Sequence, residues 1–344
     1  MIQIKERPRI VLTGGGTAGH VIPNFAIVSH LRDAFSEIHY IGSGNSIEER
    51  LVAEFGGLHW HAITTGKLRR SFSPGAIINN LKMPFKVIRG MRQARSHLKR
   101  IAPAVVFSKG GFVSYPVVRA AASLGIPVIL HESDLTMGLA NRQSLKYATQ
   151  VLTSFEKTAK EIKGAKWVGS PIRDEIVGAT KGLPKDGKNL LIMGGSLGAA
   201  AINKVVEDAG EELCKIWNVL HITGRGKQTN FVHPNYTQIE YTNEMPKKLS
   251  WADVVVTRAG AGAVFELLAI RKPMVLVPLA TGRGDQIQNA REVASWGSAI
   301  HLPEGELTKT TLVDAIARAP EPAQLPKING TQEIAKLLVN FVEY

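Results

Sequence analysis

The sequence predicts an α/β protein of two Rossmann-like domains, each built on a doubly wound parallel sheet. Short β-branched runs alternate along the chain with longer segments of helical period, which is the pattern of parallel strands joined by crossover helices. The glycine-rich run LTGGGTAGH at 12–20 is echoed by IMGGSLGAA at 192–200, and each follows an apolar strand and precedes a helical segment. Two similar α/β domains account for both observations.

Six apolar runs are the clearest predicted strands: IVLT at 10–13, AVVF at 104–107, VIL at 128–130, LLIM at 190–193, VVVT at 254–257 and MVLV at 274–277. The Gly-, Lys- and Pro-rich stretch at 179–189 breaks the pattern and favours a linker. We therefore predict an N-terminal domain over 1–164, a linker over 165–188, a C-terminal domain over 189–325 and a terminal helix over 326–344. The sequence does not indicate on which domain that helix packs.

Composition supports two domains in a reducing compartment. The 344 residues are 44% hydrophobic and 21% charged, which is enough apolar material for two cores. The charged amino terminus lacks the apolar run of a signal peptide, and no stretch reaches the roughly 18 apolar residues of a membrane span. Cys214 is the only cysteine, which excludes an internal disulfide and a cysteine-based metal cluster. We expect a protein that stays in the cytoplasm.

Positive charge is concentrated in the first half. The formal net charge is +13, of which residues 1–160 carry +12 and residues 161–344 carry +1. Between Glu54 and Glu132 the sequence has 12 lysines and arginines and no acidic residue. Such a surface favours a polyanion: nucleic acid, anionic lipid or a phosphorylated substrate. Aromatic residues, only 6% of the chain, are not interleaved with the basic stretch, so base stacking is disfavoured and no nucleic acid is expected.

The first glycine-rich loop predicts an anion site beside a candidate base. Gly14, Gly16 and Gly19 have the dinucleotide-binding spacing. The strand IHYI at 38–41 is not followed by the acidic residue that would hold an NAD or FAD ribose, so no cofactor is predicted. His20 lies on the first turn of the next helix, and the pKa of a histidine, ordinarily ~6.5, suits a general base at neutral pH.

Polar side chains also follow predicted strands of the second half. Ser196 in the second glycine loop offers a hydroxyl to a phosphate oxygen, and Glu266 offers a carboxylate to a ribose diol. Asp285, Gln286 and Asn289 could bind the hydroxyls of a sugar.

Metal-ligand patterns are missing from the sequence. No Asp-x-Asp pair occurs, and no His or Cys cluster has metal spacing, so no metal is predicted. The charge of a leaving diphosphate would then be met by helix N-termini and by Arg258.

Seven segments, read in order, carry a family resemblance: TGGGTAGHVIP, SKGGFVSYP, HESDLTMGLAN, GSPIR, MGGSLGAAAIN, WADVVVTRAGAGAVFE and RGDQIQNA. Together they resemble the MurG family of bacterial N-acetylglucosaminyltransferases over essentially the whole chain. The resemblance implies a glycosyltransferase B-type fold, with the domains facing across a cleft. It also implies a metal-independent, inverting transfer from UDP-N-acetylglucosamine (UDP-GlcNAc) to lipid I, undecaprenyl-pyrophosphoryl-MurNAc-pentapeptide. Another UDP-sugar enzyme of this fold, a glycolipid transferase or a UDP-GlcNAc epimerase, is the alternative, and a nucleic-acid-binding protein is less favoured.

The resemblance assigns site residues to both domains. The donor site would comprise Arg173 of the predicted linker and, in the second domain, Ser196, Asn203, Thr242, Met245, Arg258, Glu266, Asp285 and Gln286. Among these, Ser196 would meet the diphosphate, Glu266 the ribose and Gln286 with Asp285 the sugar. Thr242 and Met245 would form the uracil pocket, Asn203 and Arg258 would support the site, and Arg173 would lie near the interdomain hinge. Thr17 and Gly19 of the first domain would also contact the donor, Thr17 lining the acceptor side as well.

The acceptor side would include Gly15, Gly16, Gly110, Gly111, His131, Asp134 and Asn141. His20 is the preferred base for the muramoyl 4-hydroxyl, with Glu132 the competing candidate. Phe112 stands where many members of the family carry tyrosine, so no catalytic phenol is expected there. The loop at 194–198 would serve the donor diphosphate and the loop at 14–19 the acceptor pyrophosphate.

The basic stretch predicts a membrane contact. Ile77, Leu81, Phe85 and Ile88 recur at helical spacing among lysines and arginines, which favours a surface for an anionic membrane. Alternatively, this apolar stripe faces the core of its own domain. Pro84 predicts two short helices here rather than one long helix. The resemblance implies a peripheral protein on the cytoplasmic face of the cell membrane.

Overall fold

The structure, a computed structural model, describes residues 7–66, 73–179, 188–195, 198–280, 283–323 and 325–341. These residues form two compact units. The first takes the described residues up to Ser133, then Met137–Pro171 and those from Asn329 onwards; the second takes Asp134–Thr136 and Ile172–Ile328.

The first unit contains a seven-stranded parallel sheet. Its strands are β1 (Arg9–Thr13), β2 (Glu37–Ser43), β3 (His59–Ile63), β4 (Val105–Ser108), β5 (Val128–Glu132), β6 (Gln150–Thr153) and β7 (Lys166–Trp167). Its helices before Pro171 are α1 (Ala18–Val28), α2 (Ile47–Phe55), α3 (Pro74–Ile101), α4 (Ser114–Ala122), α5 (Leu139–Ser144) and α6 (Glu156–Glu161). The strand order is β3-β2-β1-β4-β5-β6-β7.

Both faces of this sheet are covered, as parallel sheets require. Ile10 and Leu12 of β1 pack in one core cluster with α1, whereas Val11 between them packs in another cluster with α3 and α4. Alternate residues of one strand thus serve opposite layers, and the strand is apolar throughout.

The second unit repeats the plan with six parallel strands. They are β8 (Asn189–Met193), β9 (Asn218–Ile222), β10 (Tyr236–Ile239), β11 (Val254–Thr257), β12 (Met274–Leu276) and β13 (Ile300–His301). Its helices are α7 (Asp174–Gly178), α8 (Ala200–Cys214), α9 (Met245–Trp251), α10 (Ala261–Ala269), α11 (Asp285–Ser295) and α12 (Lys309–Ala317). The order β10-β9-β8-β11-β12-β13 is the 3-2-1-4-5-6 order of dinucleotide-binding folds.

The prediction of two parallel-sheet α/β domains is confirmed, and each of the six apolar runs matches a strand to within two residues at either end. The range predicted as a linker, 165–188, contains β7 and α7 among its described residues. The final helix, α13 (Thr331–Val339), packs on the first unit. Ile334 and Leu338 are fully buried there, in one cluster with Ile27 and Leu31.

The prediction that Pro84 divides the basic stretch is wrong. A single helix, α3, runs through Pro84. The proline is exposed, and a helix can continue through a proline with a local bend. Among the described residues, no helix is long and apolar enough to span a bilayer.

Candidate active site

The two glycine loops occupy equivalent places in the two sheets. The first follows β1 and lies beside the end of β4; the second follows β8 and lies beside the end of β11. The strand order reverses direction at these positions, and ligands of open α/β sheets bind outside the carboxyl ends of the strands at that point. Each unit therefore has one candidate site, and its glycine loop is part of it.

The first glycine loop is held in place by hydrogen bonds and close packing within the first unit. Tyr40 Oη donates to Gly14 O at 2.7 Å, and the amide of Gly15 donates to Gly110 O at 3.3 Å. Gly111 (φ +80°) packs so closely that a Cβ there would lie 2.0 Å from Gly15 O. Only glycine allows the segment after β4 to approach the segment after β1 in this way.

His20 lies beside this pair of loops, on the first turn of α1. Its Nδ1 is 3.2 Å from Lys109 O. A carbonyl oxygen only accepts, so this contact fixes the proton on Nδ1 and leaves the lone pair of the neutral ring on Nε2. Thr17 and Gly19, close to His20, are exposed, and Thr17 makes no side-chain cap on α1. A ligand can therefore reach the amides of this helix end.

Glu132, at the end of β5, has a carboxylate held from two sides. Its Oε2 accepts from Gly138 N and from Asn141 Nδ2, both at 2.9 Å. Asn141 is itself 3% exposed and also lies against Gly110. These contacts fix the orientation of Glu132, and the contact with the Lys109 carbonyl fixes the tautomer of His20.

His131 is completely buried behind these groups. Lys109 Nζ donates to His131 Nδ1 at 2.5 Å and to Ser133 Oγ at 2.6 Å, and His131 Nε2 donates to Gly169 O at 3.0 Å. Burial, and then the Lys109 charge, lower the pKa of His131 well below its ordinary value. His131, predicted on the acceptor side, is therefore a neutral buried group that contacts Lys109 and Gly169.

The second glycine loop packs closely against β9. A Cβ on Gly198 (φ +69°) would lie 2.1 Å from Thr223 O, and one on Gly194 would lie 2.2 Å from the Ala199 amide. The loop then leads into α8, whose N-cap residue, Ala199, makes no side-chain cap. Uncapped amides and the helix dipole favour an anion at this end. Ser196, predicted to meet the diphosphate, lies outside the described residues.

Asn203 supports this loop from inside. Its amide nitrogen donates to Thr223 O at 3.0 Å and to Lys227 O at 3.1 Å, and its Oδ1 is 3.1 Å from His221 Nε2. An amide oxygen accepts, so Nε2 of His221 carries the proton, and Nδ1 accepts from Tyr236 Oη at 2.7 Å. Burial lowers the pKa of His221 to about 4, which keeps this network neutral. Asn203 is only 5% exposed.

Glu266 forms a two-point ion pair with Arg173. Arg173 Nε donates to Glu266 Oε1 at 2.9 Å, and Arg173 Nη2 donates to Glu266 Oε2 at 3.1 Å. Each carboxylate oxygen has a second lone pair, so a held carboxylate of this kind can still accept one hydroxyl at each oxygen. That geometry suits a ribose diol. The sequence reasoning named both residues but not their pairing.

Arg258 is buried and directed into its own unit. It donates to Val277 O at 3.2 Å and to Pro278 O at 3.3 Å, and it forms an ion pair with Glu304. These contacts connect the segment after β11 to the segment after β12. Arg258 therefore supports the backbone of these two segments.

The start of α11 presents Asp285 and Gln286. Asp285 accepts from Thr136 Oγ1 at 2.8 Å and from Arg283 Nε at 3.0 Å. Gln286 Oε1 accepts from Leu279 N at 3.0 Å, and within the described residues its amide nitrogen makes no hydrogen bond. Gln286 therefore retains two donors for a ligand hydroxyl.

The interpretation of Asn289 as a sugar ligand is wrong. The residue is fully buried, its Oδ1 accepts from Leu135 N at 2.9 Å, and its Nδ2 donates to Asp134 Oδ1 at 2.9 Å and to Ala259 O at 3.2 Å. Both ends of its amide group are therefore already bonded inside the second unit. The same contacts correct the placement of Asp134, which was expected in the first domain and belongs to the second unit.

The predicted uracil contacts lie at the start of α9. Met245 is its first residue, and Thr242 Oγ1 accepts from the amide of Glu244 at 3.0 Å. Both side chains are half-buried. In the described part of the chain, no group of three or more His, Cys, Asp or Glu side chains is arranged to hold a metal ion.

Sequence reasoning missed two residues of the first site. Glu48, 1% exposed, lies against the first glycine loop, and Lys109, also 1% exposed, links that loop to His131. Neither has a local sequence signal, because the contacts that bring each of them to the loop are with residues more than 20 positions away.

Comparisons with known proteins agree with this geometry. The chain matches the glycosyltransferase family 28 N-terminal domain over 10–153 and the C-terminal domain of that family over 189–339. Among its relatives is a UDP-N-acetylglucosamine--N-acetylmuramyl-(pentapeptide) pyrophosphoryl-undecaprenol N-acetylglucosamine transferase of Clostridium kluyveri, 42% identical over 97% of this chain and 99% of the relative. Transferase 2 of that name in Bacillus cereus is 39% identical, with the same two coverages of 97% and 99%.

One solved structure supports the same assignment, and a second shows the same fold. The crystal structure of Acinetobacter baumannii MurG has a TM-score of 0.73 and 25% identity, covering 97% of this chain and 99% of its own. A UDP-GlcNAc 2-epimerase of Methanocaldococcus jannaschii, with a TM-score of 0.63 and 13% identity over 96% of this chain and 99% of its own, shows the shared fold alone. The chain therefore belongs to glycosyltransferase family 28 and, within it, to the UDP-N-acetylglucosamine–N-acetylmuramyl-(pentapeptide) pyrophosphoryl-undecaprenol N-acetylglucosamine transferases.

Proposed function

We propose that this enzyme transfers N-acetylglucosamine from UDP-GlcNAc to the 4-hydroxyl of MurNAc in undecaprenyl-pyrophosphoryl-MurNAc-pentapeptide, converting lipid I to lipid II in peptidoglycan synthesis. The observation that carries the proposal is the near-full-length identity to transferases named for these substrates. The site geometry of both units supports it.

On the donor side, each part of UDP-GlcNAc has a matching group in the second unit. The uncapped start of α8 and the Ser196 hydroxyl would receive the diphosphate. The carboxylate of Glu266, held by Arg173, would accept the two ribose hydroxyls, and Gln286 would donate to the sugar. Thr242 and Met245 would border the uracil.

On the acceptor side, His20 would act as the general base. Its Nε2 lone pair would take the proton of the muramoyl 4-hydroxyl while that oxygen forms a bond to the anomeric carbon. The bond from the anomeric carbon to the UDP oxygen breaks in the same displacement, which inverts the configuration. The amides at the start of α8 would stabilise the negative charge that develops on the diphosphate of the departing UDP, without a metal ion.

The test is a direct assay. The purified chain, incubated with UDP-GlcNAc and a lipid I analogue in the presence of EDTA, should release UDP and form the disaccharide product with a β linkage. Release of UDP that requires added divalent metal would contradict the metal-independent step. Conversion of UDP-GlcNAc to an epimer without acceptor would instead identify an epimerase.

We also propose that α3 contacts an anionic membrane surface. Leu81, Phe85 and Ile88 are 69%, 75% and 42% exposed, so at these three positions the apolar stripe does not face the core of the unit. Exposed Lys82 and Arg89 accompany them. Exposed apolar side chains among basic ones are the chemistry of an interfacial helix. The side chain of Ile77, predicted in the same stripe, lies outside the described residues. A lipid-linked acceptor requires such a surface, and we place the enzyme on the cytoplasmic face of the membrane.

Vesicle binding tests the membrane contact. The double variant Leu81→Asp/Phe85→Asp should lose roughly tenfold or more of its binding to phosphatidylglycerol vesicles, because it removes two apolar anchors. Val232→Asp is the matched control, since Val232 is 86% exposed in the second unit. Vesicle binding that is unchanged in the double variant, or salt-sensitive submicromolar binding to RNA in place of vesicle binding, would overturn the proposal.

A further inference from the structure

The buried carboxylate of Glu48 lies inside the bend of the first glycine loop. Glu48 belongs to the first turn of α2 and is 1% exposed. Its Oε2 accepts from the amide of Gly16, and its Oε1 accepts from the amide of Ser43, both at 3.4 Å. One carboxylate therefore joins the loop after β1 to the end of β2.

The loop is shaped around this carboxylate. A Cβ on Gly15 would lie 2.7 Å from Oε1 and 2.9 Å from the carboxylate carbon, and a Cβ on Gly42 would lie 3.1 Å from Glu48 Cγ. A residue with any side chain at position 15 would displace Glu48. Gly16 has φ +90°, a conformation that glycine adopts without strain.

In Rossmann-like units, the amides of this loop ordinarily receive a phosphate group of a ligand. Here Gly15 N is bonded to Gly110 O and Gly16 N to Glu48, so an internal anion occupies the place of the external one. A phosphate brought to the same two amides would displace these partners and meet the carboxylate as a like charge. The first turn of α1, with exposed Thr17 and Gly19, is still open to a ligand.

We propose that Glu48 is a positioning residue that substitutes for a bound phosphate in the first loop. It holds Gly15 and Gly16 and thereby fixes the start of α1, where His20 lies. It also excludes phosphate groups from the interior of the loop, so that the acceptor pyrophosphate is received by the first turn of α1. The part of this proposal that concerns His20 rests on the proposed function; the part that concerns the loop does not.

Glu48→Gln tests the positioning role. The carboxamide keeps one acceptor oxygen but turns an NH2 group towards either Gly16 N or Ser43 N, so a donor faces a donor. We expect hydrogen exchange of the 14–20 peptide to accelerate roughly tenfold and kcat to fall roughly tenfold, with UDP affinity unchanged. Glu54→Gln, an exposed residue of the same helix, is the matched control and should change none of these quantities.

Rescue by a small anion gives a second, independent readout. In Glu48→Ala, acetate should enter the vacated space, slow the exchange of the 14–20 peptide and restore part of kcat, whereas acetate should not affect Glu54→Ala. Slowed exchange with no recovery of kcat would retain the loop role and refute the positioning of His20 through the loop. Wild-type exchange in both Glu48 variants would overturn the loop role itself.

The wild-type enzyme supplies the test if the variants do not fold. Inorganic pyrophosphate, added to wild type, should leave exchange at the amides of Gly15 and Gly16 unchanged, because those amides are already bonded. Protection of these two amides by pyrophosphate, in proportion to its concentration, would show that the loop still receives phosphate and would overturn the proposal.

Discussion

The two glycine loops hold the same position in their sheets and differ in what fills them. The first is closed by Tyr40, Gly110 and Glu48, all from its own unit. The second packs on Thr223 and leads to the uncapped start of α8; within the described residues, no carboxylate accepts from its glycine amides. Shared topology therefore does not mean shared chemistry. One loop is organised by an internal anion, and the other retains its capacity for an external one.

The helix after each loop shows the same division. α1 carries His20, half-buried, with one ring nitrogen engaged by a backbone carbonyl. α8 carries Asn203, whose amide group is bonded at both its oxygen and its nitrogen within the unit. In the proposed mechanism, the first helix start offers a reactive group and the second offers a rigid anion site.

The largest expected effect is that of His20→Ala. Removing a general base costs roughly 10²- to 10⁴-fold in turnover. UDP affinity should be unchanged, because the proposed UDP site belongs to the second unit. Steady-state kinetics and UDP titration measure the two quantities separately.

His59→Ala is the control for His20, since His59 is an exposed histidine of the same unit. Glu132→Gln, measured in parallel, distinguishes the two candidate bases. Full turnover in His20→Ala together with a large loss in Glu132→Gln would assign the base to Glu132. A loss of UDP affinity in His20→Ala as large as the loss of turnover would contradict the proposal that the second unit alone binds UDP.

The pH dependence of stability gives the second effect. The pKa of His221 is lowered by burial from 6.5 to about 4, so the unfolded chain binds a proton that the folded chain rejects between those values. The contribution of neutral His221 to the free energy of unfolding is fully present above pH 6.5 and is lost as the pH falls towards 4. It amounts to about 3 kcal/mol, since one pKa unit corresponds to about 1.4 kcal/mol.

Urea unfolding of wild type and His221→Gln at pH 7, 6, 5 and 4 measures this contribution. The variant should be less stable at pH 7 but should lose less stability on acidification, and the two curves should converge near pH 4. Parallel curves across this range would show that His221 is not the titrating group.

The third effect concerns ribose recognition. Glu266→Gln removes the charge and one acceptor oxygen, and hydrogen bonds to charged groups are worth about 1.5–3 kcal/mol, so KM for UDP-GlcNAc should rise roughly 10- to 100-fold. Wild type should bind 2′-deoxy-UDP more weakly than UDP, and Glu266→Gln should lose most of that preference.

Arg173→Lys tests the support of Glu266. A lysine cannot bond both carboxylate oxygens as the guanidinium does, so an intermediate rise in KM is expected. If Glu266→Gln still distinguishes UDP from its deoxy analogue as strongly as wild type does, Glu266 does not contact the ribose.

The fold was predictable because its signals are local. An apolar run followed by glycines predicts both a buried strand and a close turn after it, as at 10–16 and 190–195. β3, β9 and β10 were missed because their sequences, HWHAI, NVLHI and YTQI, mix histidines and polar residues into the strand. In β9 the histidine is buried by a hydrogen-bond network that no single segment reveals.

The candidate site was predictable by residue type but not by orientation. Asn203 and Asn289 were both interpreted as polar groups near a ligand, yet each is buried and bonded inside its unit. Glu48 was not predicted at all, although it contacts the most prominent motif of the chain. A motif shows that backbone amides are available, whereas tertiary packing decides whether an internal group already occupies them.

The smallest expected effect is that of Gln286→Ala, and it separates the sugar from the nucleotide. The side-chain oxygen of Gln286 is bonded to Leu279 N, while its amide nitrogen is available for a sugar hydroxyl. Losing one neutral hydrogen bond should raise KM for UDP-GlcNAc about 3- to 10-fold. Affinity for UDP, which lacks the sugar, should be unchanged. Gln288→Ala, an exposed position on the same helix, is the matched control. Equal weakening of UDP and UDP-GlcNAc would mean that Gln286 only shapes the segment around Leu279. The proposed donor site of the second unit would then have no direct sugar contact from Gln286 at the start of α11.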